Sequence, residues 1–207
     1  MNTTIIGQIS LNISLILYLT NYLPQLFHNH KGAHLAGLSI YFHSILFFSC
    51  IMDLFYGFGM HLPWQYKTIS IAWLCFLYFQ HRQMSASRHL FPGLKKIDVL
   101  LIGVVIVSAC LYLANNKTIF LAFGYLSQSA ALLCVLPQII KNRISTNAMS
   151  LNIVYLTQNL ITKTCDNISA YALAWPLPSK IGAACAATTA LILLYQYYRA
   201  YHTYERI

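Results

Sequence analysis

Acidic side chains are almost missing from this chain. Asp53, Asp98, Asp166 and Glu205 are the four it has in 207 residues. Charged residues of both signs make up only 8%, against about 25% in a soluble domain. So few charges do not cover a water-facing surface. Cysteine pairs are missing too: Cys50, Cys75, Cys110, Cys134, Cys165 and Cys185 all fall in apolar stretches, with no CxxC spacing. That leaves them as small apolar packing groups. No nucleophile-base constellation and no metal motif appears, which argues against an enzyme. The first apolar run has no basic stretch before it and no small-residue cleavage site, so it reads as a retained span rather than a signal peptide.

What is present is hydrophobic. Apolar residues make up 58%, and the mean hydropathy is +0.58. A spanning helix needs about 20 mostly apolar residues. Seven segments qualify: Ile5 to Phe27, Gly37 to Phe58, Pro63 to His81, Ile97 to Ala114, Thr118 to Ile140, Ala148 to Ala172 and Ser179 to Ala200. Inside lipid the backbone must satisfy its own hydrogen bonds, so the spans are expected as helices. The alternating pattern of a membrane barrel is absent. The expected class is an all-α polytopic membrane protein with seven spans, a lipid bilayer around it and no separate soluble domain.

The net charge of +9 raises nucleic acid as a partner, but the placement of the charges argues against it. The first, third and fifth connections and the tail hold Lys31, Arg82, Arg88, Lys95, Lys96, Lys141, Arg143, Arg199 and Arg206. The other side holds Lys67, Lys117 and Lys180. Such an excess is the positive-inside pattern. It predicts an outer N-terminus and a cytoplasmic C-terminus.

Shifting the chain by 113 residues onto itself superimposes Pro24 on Pro137, Gln25 on Gln138 and Asn29 on Asn142. Asp53 meets Asp166, Pro63 meets Pro176 and Lys67 meets Lys180, with no gap. This is an internal duplication. Each copy holds three helices, and the span from Ile97 to Ala114 links them. An odd number of helices per copy plus one linking helix makes the copies parallel, an arrangement used by transporters with the solute between the halves. The expected division is residues 1–96, a linking helix over 97–117, and residues 118–207.

"LTNYLPQLFHNHKG" and "LLCVLPQIIKNRIS" each end an apolar run with Pro-Gln followed by Asn. Together with three helices per copy, they resemble the PQ-loop proteins, which include cystinosin-type amino-acid exporters and are related to the SWEET sugar transporters. "SIYFHSILFFSCIMDLFYG" looks like the second helix of a SWEET-type repeat, with Asp53 where those proteins usually carry a binding-site Trp. "PSKIG" is similar to the start of the last helix of cystinosin-type proteins. The resemblance implies a role for its Lys180 against a substrate carboxylate.

Pro24 and Pro137 each remove a helix hydrogen bond and clash with the carbonyl four residues back. They are either hinges, with Gln25 and Gln138 satisfying what is freed, or the places where the helices stop. Asp53 with Lys67, and Asp166 with Lys180, flank equivalent outer hairpins at matching depth. A charge inside a span is a functional candidate by default. These four read either as hairpin salt bridges or as a gate or proton-coupling set. Lys163 sits three residues before Asp166, on the same helix face, and pairs with it or contacts substrate. Two aspartates against three lysines leave one lysine for a bound carboxylate. Gln158 and Asn159, with Thr157, are candidates for substrate hydrogen bonds or helix contacts, as are Ser44, Gln128, Ser129 and Thr162. His28, His30 and His34 have no metal-binding counterparts in the other copy and read as part of a basic loop. "YERI" resembles a tyrosine-type sorting signal, but the lack of a large lumenal domain favours a bacterial inner membrane.

The expected function is alternating-access transport of a small carboxylate-bearing solute, an amino acid first, with protons as the coupling ion and no other cofactor. A SWEET-like sugar carrier and a non-transporting peptide receptor of the KDEL-receptor kind are the alternatives.

Overall fold

The computed structural model describes residues 3–30, 35–91, 93–143 and 150–204. Seven long helices occupy them: α1 (Thr3–Asn29), α2 (Ile40–Gly59), α3 (Trp64–Ala86), α4 (Leu94–Leu113), α5 (Lys117–Arg143), α6 (Ile153–Ala172) and α7 (Leu177–Tyr204). Among the described residues there is no strand. Over the described residues the chain is all-helical, with these seven long helices, and it is a multi-pass membrane protein. Five of the helices are long and apolar enough to cross a membrane by composition alone. The other two are α3 and α6, where the sequence placed full spans. Both dilute their apolar residues with polar ones such as Gln65, Ser70, Gln80, Thr162, Lys163 and Asp166.

The polarity of α1 runs opposite to that of a soluble helix. Ser10, Ser14, Asn21 and Gln25 are buried, whereas Ile5, Ile9, Ile13 and Ile16 are exposed. Such an apolar stripe turned outward has lipid as its natural solvent. The linking helix α4 carries this furthest, with Leu94 and Ser108 its buried residues.

Helix packing gives the duplication a shape. α3 lies against both α1 and α2, and α7 against both α5 and α6. In each copy the third helix therefore sits between the first and second. The most extensive interfaces join the copies, α2 to α5 and α1 to α6. The six helices close a ring in the order α1, α3, α2, α5, α7, α6. A rotation exchanging α1 with α5, α2 with α6 and α3 with α7 maps these interfaces onto one another. α4 lies outside the ring, chiefly against α2.

The turns between second and third helices repeat as well. His61 and Ala174 are equivalent and both left-handed, each with φ 52°. Leu62 N–H donates to Gly57 and Trp175 N–H to Ala170, both at 3.0 Å. A left-handed residue with a six-to-one bond closes a helix in the Schellman manner. Such a conformation costs a non-glycine residue roughly 1–2 kcal/mol, and both copies keep it without glycine. Ser39 and Asn152, again equivalent, cap α2 and α6 with their side chains. The Asn152 cap is why the sixth helix starts at Ile153 rather than near Ala148.

Candidate functional site

Pro24 and Pro137 lie inside their helices, which continue to Asn29 and Arg143. The reading of these prolines as helix stops is thereby corrected. Gln25 and Gln138 do not turn back to the freed carbonyls; they reach across to the other copy. Oε1 of Gln138 accepts from the Ser39 N–H at 2.9 Å, and Oε1 of Gln25 from the Asn152 N–H at 2.8 Å. Nε2 of Gln138 donates to the Gly37 carbonyl at 3.3 Å and that of Gln25 to Ser150 at 3.2 Å. Each glutamine also donates to the asparagine one turn on, Gln25 to Asn29 at 2.7 Å and Gln138 to Asn142 at 2.8 Å. The asparagines are held by Gln83 on α3 and Gln196 on α7, whose amides also donate to the Leu26 and Ile139 carbonyls. An amide that grips an N–H and a nearby carbonyl of another helix fixes where that helix starts. The two Pro-Gln pairs are thus a reciprocal latch between the copies. The sequence reading missed Gln83 and Gln196, although they too are 113 residues apart.

Toward the opposite end, the two aspartates face a cavity of about 130 Å³ lined by all six ring helices. Asp53 accepts from the hydroxyls of Tyr66, Ser70 at 2.7 Å and Ser127 at 3.2 Å, and from the Gln128 amide at 3.3 Å. Asp166 accepts from Ser14 and Tyr18, and Lys163 Nζ lies 3.9 Å from it. The same Nζ donates to the Tyr18 hydroxyl and lies over the Tyr18 and Trp73 rings at 4.8 and 5.3 Å. Gln128 reaches Asp53 because Gly182 lies in its path with no side chain; a Cβ there would run into the Gln128 amide. Trp73 and Trp175 also line the cavity, and their indole N–H groups are buried without a partner. The hairpin turn carries Trp175 inward.

The ion pairs expected across the hairpins do not form. Lys67 Nζ lies over the Phe58 ring at 5.2 Å, and Lys180 Nζ over the equivalent Tyr171 ring at 5.8 Å. Neither lysine lines the cavity. The reason is angular: Tyr66 and Ser70 face Asp53, and Lys67 is one residue, about 100°, around the helix from Tyr66. The charge balance changes with it. Inside the cavity two carboxyls face one ammonium, so the unmatched group is an aspartate and not a lysine.

Gln158 and Asn159 lie on α6 outside the cavity lining, with their side-chain oxygens buried and unpartnered. Thr162 and Ser44 bond back to their own helices, at Gln158 and Ile40 carbonyls, and Thr157 and Ser129 are exposed. Cys50, at the place equivalent to Lys163, lines the cavity. His28 lies in the last turn of α1 and His30 just beyond its end, whereas His34, Lys31 and residues 205–207 of the tail motif lie outside the described residues. Tyr18, Tyr66, Ser70, Trp73 and Trp175 were not singled out by the sequence. Spacing alone could have grouped Tyr66, Ser70 and Trp73, which recur at i, i+4 and i+7.

No curated protein matches the chain. Residues 6–66 match the family model for the PQ loop repeat, a class whose members are generally membrane transporters or receptors rather than enzymes. That match covers α1, α2 and the turn into α3, the segment that carries Pro24, Gln25 and Asp53. The chain therefore carries a PQ-loop repeat, as its Pro-Gln segments imply.

Proposed function

We propose that the chain moves a small zwitterion, an amino acid, across the membrane by alternating access, with a proton as the coupling ion. The observation that carries this is the makeup of the cavity: two carboxyls, one ammonium and two unpartnered indole N–H groups. A substrate carboxylate is matched by Lys163, Trp73 and Trp175. A substrate ammonium is matched by Asp53, the carboxyl with no cation beside it. In the absence of substrate a proton neutralises that aspartate. A carboxyl neutralised in turn by a proton and by a substrate ammonium couples the two. The cavity volume supports a small solute, since roughly 150 Å³ accommodates benzene elsewhere. A peptide of several residues is far larger.

Pro24 and Pro137 are the hinges in this reading. Each lies one residue before a latch glutamine, so bending there releases the N-terminus of the facing helix. Lys180 becomes an anchor at the rim rather than the carboxylate site.

The test is a solute screen in proteoliposomes at two pH values. Amino acids should move and a pH gradient should drive them. Asp53→Asn should abolish the pH-driven component and leave exchange measurable. Flux of neutral sugars without amino acids would overturn the zwitterion reading. Peptide binding without any flux would replace it with a receptor.

A further inference from the structure

Away from the cavity, four helices share one unbroken polar line near the Pro-Gln end of the first copy. Asp98 on α4 lies 2.7 Å from Nε2 of His81 on α3. Nδ1 of His81 faces Nε2 of His43 on α2 at 3.2 Å. Nδ1 of His43 faces Oε1 of Gln80 at 3.0 Å, and the same oxygen accepts from the Tyr22 hydroxyl of α1 at 2.9 Å. Burial increases along it: the side chains of Asp98 and His81 are 35% and 14% exposed, whereas His43, Gln80 and Tyr22 are each 1% exposed. The two imidazoles stack at 5.3 Å, with Phe47 against both.

The fold does not require this line. The equivalents of His43, Gln80 and His81 in the second copy are Leu156, Leu193 and Leu194, and Tyr22 is matched by Val135. Nor is it a metal site, because the ring nitrogens face each other and not a common point. From the surrounding helices, the other titratable groups are Tyr22 of α1, Tyr155 of α6 with its ring 5.3 Å from that of Tyr22, Arg82 beside His81, and Lys95 one turn before Asp98. On α5, Lys141 is engaged by the Ala36 and Leu38 carbonyls, and Cys134 by that of Ala131.

Counting hydrogens gives the line a function. Both ends, a carboxylate and an amide oxygen, are acceptors. The three gaps from Asp98 to Gln80 each need one hydrogen. Two neutral imidazoles supply two, so the complete line holds one more proton. Held on the rings, this proton balances the Asp98 carboxylate. Without it, the line is completed only by turning the Gln80 amide. Its NH2 then donates to His43, His43 to His81, and His81 to the carboxylate. The turned amide presents a donor to Tyr22, whose hydroxyl must then accept.

We propose that His43, His81 and Asp98 form a proton-binding site whose loading turns the Gln80 amide and resets its bond to Tyr22, two residues before Pro24. The ligand is a proton exchanging at Asp98, with net charge zero when loaded and minus one when empty. The site is separate from Asp53 and does not depend on the cavity's solute.

The full chain, labelled with nitrogen-15 at histidine and glutamine and held in nanodiscs, tests this by NMR. The titration spans about pH 5 to 8, where histidine ordinarily changes charge. Signals are assigned with His43→Leu and His81→Leu, which copy the second repeat. His43 and His81 should change together, from three protonated ring nitrogens to two, with the Gln80 amide moving at the same midpoint. Asp98→Asn puts a donor where the proton was needed, so that variant should keep two protonated nitrogens throughout with unchanged thermal unfolding. Two rings titrating independently, or staying neutral at every pH in the wild type, would overturn the site even if Asp98→Asn failed to fold.

Discussion

The Pro-Gln latch is built from the same contacts in both copies, bond for bond, while the surroundings of the two aspartates differ. Gln25 and Gln138, Asn29 and Asn142, Gln83 and Gln196, and Ser39 and Asn152 form two matching sets. In the cavity only the aspartates and their serines, Ser14 and Ser127, correspond. Tyr18 is matched by Ala131, Lys163 by Cys50, Trp73 by Ala186 and Gln128 by Leu15. A latch between two halves works alike from either side, so duplication preserves it. A single zwitterion between the halves has unlike ends and needs unlike walls. On the proposed function, symmetry separates the latch from the walls that recognise a solute.

The strongest challenge to that division is aimed at the latch. Gln25→Ala and Gln138→Ala each remove bonds to backbone groups that stay buried, at about 1–3 kcal/mol for each group left unpaired. Both should lower stability in detergent unfolding, by similar amounts on the order of 3 kcal/mol. A large difference between them would show that matching bonds do not carry matching energy. A smaller effect is expected in the cavity. Lys163→Ala removes a charge-assisted contact of about 1.5–3 kcal/mol, so substrate affinity should fall ~10–150-fold. Cys50→Ala, at the equivalent position, should leave affinity near wild type; if it fell equally, the asymmetry would be decorative. Smallest of all, Lys67→Ala and Lys180→Ala each lose a cation–π contact of about 0.5–1 kcal/mol. Their unfolding shifts should be alike and substrate affinity unchanged. A selective affinity loss in Lys180→Ala would restore the last-helix lysine as the carboxylate site.

The helices were legible because lipid demands long apolar runs, and the duplication because Pro-Gln and the aspartates recur at one offset. Depth along the helices was legible too, and it put Asp53 and Lys67 at one level. Direction around the helix was not used, and direction decides the partner. Asp53 turns to Tyr66 and Ser70, while Lys67 turns to Phe58. Asn159 shows the reverse case. It shares a face with Lys163 and Asp166, but lies a turn nearer the Pro-Gln end, beyond the cavity lining. Trp175 could not be read as a site residue, since only the left-handed turn at Ala174 brings it in. The latch was hidden for another reason: its partners lie about a hundred residues apart, and local pattern carries no trace of them.

The place of the third helix in each copy also sets an order of assembly. α1 and α2 leave the ribosome one after the other, yet finish on either side of α3. They must stay apart, or separate, for α3 to enter. α1 meets its largest neighbour only when α6 has been made, well over a hundred residues later. Until then the buried serines and amides of α1 face lipid or a transient partner. Closing such long-range contacts is slow, so the nascent first half is the stage at which this chain is most open to mispairing and to quality control. Losses in yield from changes on the inner face of α1 should arise there, before the finished ring exists to be destabilised.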